Sequence, residues 1–156
     1  MDRSRGRYYS RRDVRFMNSL NGELIGDIIE QSVVVYKINA SQTKSSVYGE
    51  SIDKVYYPGL QIDCLVESDP QTTNYEGFGP DVKKGTVFRF HQKLCELKNV
   101  YPEIGDIVLW ENTFFEISNI VENQFLGGQP EKNYSLLCNA HYTRKSKLNI
   151  TQRNIQ

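Results

Sequence analysis

The run Ile107-Val108-Leu109-Trp110-Glu111-Asn112-Thr113-Phe114-Phe115-Glu116-Ile117-Ser118-Asn119-Ile120-Val121 decides the fold class. Its two halves are rich in β-branched and aromatic residues, and the polar pair Asn112-Thr113 between them is short enough to reverse the chain. It reads as a β-hairpin, entered through the turn Pro102-Glu103-Ile104-Gly105-Asp106. Moving upstream, Thr86-Val87-Phe88-Arg89-Phe90-His91 alternates as a half-buried strand does. Leu60 to Val66 follows Pro58-Gly59 as another strand, Val47 to Ser51 is an extended excursion, and Val33 to Ile38 opens the β-rich part. Downstream, a Gly127-Gly128-Gln129-Pro130 loop leads to a last strand, Tyr134 to Tyr142. About six short strands, with turns at intervals of roughly ten residues and no helices alternating with them, predict a mainly β protein. The expected architecture is a small, closed or nearly closed antiparallel β-barrel.

One segment has helical periodicity. Leu20, Leu24, Ile25, Ile28 and Ile29 predict a short helix near residues 19–31, with Ser19 as a half-made cap because its N3 residue is Gly22. Gly22 and Gly26 each cost about 1 kcal/mol relative to Ala, so this helix depends on tertiary packing. Long loops are expected near 39–58 and 68–84, the second carrying an aromatic tip at Tyr75 and Phe78, a candidate interface loop. The 156 residues suit one core with tails: a basic N-terminal arm over 1–17, a barrel domain over 18–142 and a basic C-terminal tail over 143–156.

A net charge of zero conceals segregation. Residues 1–15 hold six Arg against two Asp, residues 143–156 hold four cations and no acid, and residues 16–142 hold nine cations against seventeen acids. Both ends are therefore +4 and the body is −8, so ends and body attract opposite kinds of surface. The longest apolar runs, Val33 to Tyr36 and Ile107 to Trp110, are far too short to span a membrane, and no apolar stretch follows the Arg-rich start as in a signal peptide. Cys64, Cys95 and Cys138 are odd in number, widely spaced and set in apolar or alternating segments, which reads as buried, reduced thiols. The sequons at Asn39, Asn133 and Asn149 carry little meaning without a secretory route.

No catalytic, cofactor-binding or metal-ligating set is apparent. His91 and His141 lie in strands without acidic or Cys partners at ligand spacing. Gly77-Phe78-Gly79 lacks the third glycine and the strand-to-helix setting of a phosphate loop. Glu50 with Asp53, and Asp63 with Glu67, are spaced like ordinary solvated acids. The arms carry the strongest signal. Arg3, Arg5, Arg7, Arg11, Arg12 and Arg15, interleaved with Tyr8 and Tyr9, combine charged forks with stacking surfaces, and Arg144, Lys145 and Lys147 follow the last strand. Three readings stay open: solvated termini, docking on an acidic neighbour, and salt-sensitive contact with a DNA backbone.

Several strings then matter by their order and spacing. Glu23-Leu24-Ile25, Asp27-Ile28-Ile29-Glu30-Gln31, Tyr36-Lys37-Ile38, Tyr48-Gly49-Glu50-Ser51, Asn74 to Gly79, Gly105-Asp106-Ile107-Val108 and Phe115-Glu116-Ile117 resemble the neck, or head-completion, proteins of contractile-tailed bacteriophages, over about residues 17–143. The resemblance implies a non-enzymatic virion protein without cofactors, made in the bacterial host cytoplasm. It implies a ring, commonly hexameric, beneath a portal or adaptor that closes the DNA-filled head and offers a platform to the tail. Its partners would be further copies of itself, the portal or adaptor above, a tail terminator or the tail below, and packaged DNA in passing, with no membrane. The alternatives are a tail-terminator or tail-completion ring, a nucleic-acid-binding barrel, and a hydrolase with a Cys nucleophile.

Overall fold

The computed structural model describes residues 11–45, 51–68, 72–75, 80–124, 133–144 and 150. Helix α1 (Arg11–Glu23) runs directly into a π-helical segment (Leu24–Ile29). Strands β1 (Ser32–Tyr36), β2 (Lys44–Ser45), β3 (Ser51–Asp53), β4 (Leu60–Ser68), β5 (Thr72–Tyr75), β6 (Pro80–Lys83) and β7 (Gly85–His91) follow. Helix α2 (Gln92–Lys98) precedes β8 (Ile107–Trp110), β9 (Thr113–Gln124) and β10 (Asn133–Thr143).

Six strands close into an antiparallel barrel in the order β1-β4-β7-β10-β9-β8, with β1 pairing to both β4 and β8. Closure removes free edges, which an open sheet of this length would expose to unwanted strand pairing. These six are the strands that the alternation and the turns predict. Their inward residues form one core: Val33 and Val35, Ile62 and Cys64, Phe88 and Phe90, Val108, Phe115 and Ile117, Cys138 and Ala140. Phe88 meets Phe115 edge-on at 5.6 Å between ring centroids, and Trp110 at 6.5 Å, in the arrangements aromatic quadrupoles favour. A second cluster, Tyr36, Ile107 and Phe114, lies apart from this core, and Ile150 packs against it.

The founding hairpin turns one residue earlier than expected. Trp110 pairs with Thr113, leaving Glu111 (φ 47°) and Asn112 (φ 59°) as the two loop residues. Positive φ at both positions marks a type I′ turn, whose twist matches the strands; Asn suits it and Glu does not, which hid the register in the sequence.

Other differences have equally local causes. The described part of the helix reaches back to Arg11, within the segment expected to be arm, where Arg and Met are good helix formers. Its last part is π-helical and ends at Glu30 in the left-handed region. Helix α2 was not expected: seven residues give too few repeats to read a period, and Cys95 is its one buried side chain. It closes on left-handed Asn99, with the Val100 N–H donating to the Cys95 carbonyl at 2.9 Å. The segments expected as long loops carry two small antiparallel pairings, β2 with β3 and β5 with β6.

Candidate assembly surface

Helix α1 and its π continuation are amphipathic in the inverted sense. Phe16, Met17, Leu20, Leu24 and Ile28 recur along one face, and all are exposed, Phe16 by 65 % and Ile28 by 73 %. The opposite face, turned toward α2 and β4, bears Asn18 and Gly22, with Ile25 as its buried anchor. A helix belonging only to its own domain turns its apolar stripe inward. Here the stripe faces out, the arrangement that marks an interaction surface.

The charges on this helix agree. Arg11, Arg12 and Arg15 lie in its first turns, with Arg12 and Arg15 exposed. Cations in the first turn of a helix oppose its dipole, at roughly 0.3–1 kcal/mol each at the surface.

Between the inner face of α1 and helix α2 lies a crevice of about 210 Å³. His91, the last residue of β7, forms its floor and is only 2 % exposed. Neither imidazole nitrogen has a protein partner, and the Asn18 side-chain oxygen, also buried at this crevice, has none. Burial holds the His91 pKa below its ordinary value, reinforced by Lys93 and partly offset by Glu96, so the ring is neutral at neutral pH. Glu23 and Asp27 stand at the rim.

The thiols are poorly placed for nucleophilic chemistry. Cys64, Cys95 and Cys138 are each fully buried in the one core. Burial drives the Cys64 thiol far up, Cys95 to about 11 and Cys138 to about 12, the reverse of the depression that generates a reactive thiolate. Asp106, also fully buried, has a structural task. Its Oδ1 accepts from the Ile38 N–H at 2.9 Å and its Oδ2 from the Glu103 N–H at 2.8 Å, joining the turn before β8 to the chain leaving β1. Among the described residues no group of three or more His, Cys, Asp or Glu is arranged to hold a metal ion, and no helix is long and apolar enough to cross a membrane.

Of the residues singled out from sequence, Arg12 and Arg15 are on the exposed start of α1, and Arg144 is exposed just past β10. Arg11 is placed by its backbone alone, as is Tyr75 at the end of β5. Arg3, Arg5, Arg7, Tyr8, Tyr9, Phe78, Lys145 and Lys147 lie outside the described residues. The apolar stripe was missed because its residues were read as the packing face of the helix. Periodicity reveals that a stripe exists, not which way it points.

A closed six-stranded barrel carrying an outward-facing apolar helix defines a small β-barrel protein with an exposed apolar surface. No protein-family model matches the chain and no curated protein matches it in sequence. Among solved structures, a chain of the virion of a native gene transfer agent particle is similar at a TM-score of 0.45 and 14 % identity, over 72 % of this chain and 94 % of that one.

Proposed function

We propose that this protein is a structural virion component of a tailed-phage neck, a ring subunit that closes the filled head beneath the portal or adaptor and receives the tail. The observation that carries the reading is the inverted helix. A side chain such as Phe, Leu or Ile gains about 1.5–3 kcal/mol when fully buried, so the stripe from Phe16 to Ile28 is of the same order as the roughly 4–15 kcal/mol that association costs. Exposed at that length it is a liability for a solitary protein; covered by neighbours it is an assembly contact. The closed barrel supports the same role, because it stays folded by its own core while helix and arms engage partners. The sequence likeness to head-completion proteins gives this assembly surface its setting, and the acidic body is compatible with DNA passing without adhering.

The test introduces charge into the stripe. Leu20→Glu and Ile28→Glu leave the unfolding free energy of the barrel within about 0.5 kcal/mol, as exposed substitutions do, while rings seen by electron microscopy, and co-purification with a portal or adaptor ring, are lost. Undiminished assembly by both variants would count decisively against the proposal. A density map of the particle then separates a ring under the head from one at the end of the tail.

A further inference from the structure

The exposed stripe of α1 and its π continuation has an alignment and a charge pattern of its own. Phe16, Leu20, Leu24 and Ile28 are spaced by four residues. On an α-helix that spacing drifts by about 40° per step, because 3.6 residues make a turn, and three steps would carry Ile28 well round from Phe16. The wider π turn begins at Leu24 and reverses the drift, so Ile28 stays in line with the rest of the stripe. The charges are sorted along the same axis. Residues 11–15 hold three Arg against Asp13, a balance of +2, and residues 23–30 hold Glu23, Asp27 and Glu30 without a cation, a balance of −3. Arg12, Arg15, Glu23, Asp27 and Glu30 are all exposed. Eleven residues, close to three turns, separate Arg12 from Glu23, and four more reach Asp27, so cation and acids border the stripe on one flank.

We infer that in the free protein this stripe is covered by the same stripe of a second copy, the two helices packing antiparallel about a twofold axis near Leu20. Antiparallel packing lays the basic start of each helix beside the acidic end of the other, whereas parallel packing sets like charges side by side. Facing positions of an antiparallel pair come from the same flank, so Arg12 of one copy meets Asp27 of the other. The axis sets Leu20 against itself and Phe16 against Leu24, which fills the seam with apolar side chains. A surface that complements itself in this way is the isologous kind that makes closed dimers. One helix pair buries less than the roughly 1,600 Å² of a standard interface, so the dimer comes apart on dilution. A stripe covered by a twin is closed to any other neighbour. Self-pairing therefore shields the stripe before assembly and must open for it. The inference uses the stripe on which the ring reading rests, and not the ring itself.

Sedimentation equilibrium of the full-length protein tests it, with a monomer–dimer equilibrium as the expected result. Arg12→Glu with Arg15→Glu makes both helix ends acidic, and Glu23→Lys with Asp27→Lys makes both basic. Each double variant alone should dimerise at least about tenfold more weakly than the native chain, and an equimolar mixture of the two should restore the dimer. Thermal melts report that the barrel is intact in both. Orientation is read from single cysteine variants treated with diamide, the native thiols being buried. Leu20→Cys should give a covalent dimer, Phe16→Cys and Leu24→Cys should give none alone, and those two mixed should give one. A native chain that stays monomeric up to its solubility limit overturns the inference, as do charge variants that dimerise like the native chain or are not rescued by mixing. So does Phe16→Cys cross-linking to itself, the mark of a parallel pair. Rings built by a chain that never dimerises overturn the inference and spare the ring reading, whereas dimers of a chain that never forms rings uphold it and overturn that reading.

Discussion

Asp106 and Gly59 are two residues whose importance comes from what surrounds them. Both Asp106 oxygens are committed to backbone N–H groups, of Ile38 and Glu103, in a fully buried setting. Asp106→Ala leaves those donors without partners at about 1–3 kcal/mol each. A loss of roughly 2–5 kcal/mol is therefore expected in urea unfolding, with Asp106→Asn, which keeps one oxygen, losing less. Gly59 lies where the chain enters β4, and a Cβ there would come within 2.5 Å of Val34 Cγ1 and 2.7 Å of the Tyr36 ring. Gly59→Ala should destabilise by about 1–3 kcal/mol, the usual cost of overpacking; an unchanged melting temperature would contradict the close packing of this turn. The sequence signalled a turn at Pro58-Gly59 and another ending at Asp106. It could not signal which side chains press on the first, or that the acid of the second points inward, because both depend on the strand β1 far away in the chain.

At the scale of elements, legibility followed the length and the independence of the pattern. All six barrel strands could be read, since alternation along Thr86–His91 or a β-branched run along Ile107–Trp110 repeats often enough to stand out. Helix α2 could not, and the hairpin turn was displaced by one residue because Glu111 occupies a left-handed position that sequence alone assigns to Asn or Gly. Helix α1 was half legible. Its apolar period fixed its core near Leu20 to Ile29, but the helix as described reaches back to Arg11, and its first turn sets Arg11 and Arg12 against Asp13, which gives no net acidic signal of an N-terminus. That charge balance yields a prediction. Arg12→Glu replaces an unfavourable charge at the first turn with a favourable one and should stabilise the helix by about 0.3–1 kcal/mol, visible as increased helicity in circular dichroism. The same substitution should weaken assembly if the basic face docks on an acidic neighbour. A gain in helicity with assembly unimpaired would assign the arginine no part in docking.

Across the whole molecule, stability comes from the closed barrel and the proposed association from the helix attached to it, and the seam between the two holds a titrating group. His91 ends β7 under α1 and α2, faced by Lys93 and Glu96 from α2 and near the rim carboxylates Glu23 and Asp27. Its folded pKa lies below the ordinary 6.5, chiefly through burial, so as the pH falls below 6.5 the unfolded chain takes up this proton before the folded one does. Stability is then lost with falling pH through the window between 6.5 and the lowered value, and is fully present above 6.5. Asp106 works in the opposite direction. Burial raises its pKa above 3.8 against the opposing pull of its two backbone hydrogen bonds and Lys37, so in more acid solution the folded state gains the proton first and is relatively favoured. The two groups give the pH profile of unfolding a shape that can be dissected. Urea midpoints of the native chain should fall as the pH drops from above 6.5, His91→Leu should flatten that fall, and Asp106→Asn should leave it while removing the partial recovery nearer 3.8. A fall of equal size in His91→Leu would mean that the titrating group lies elsewhere.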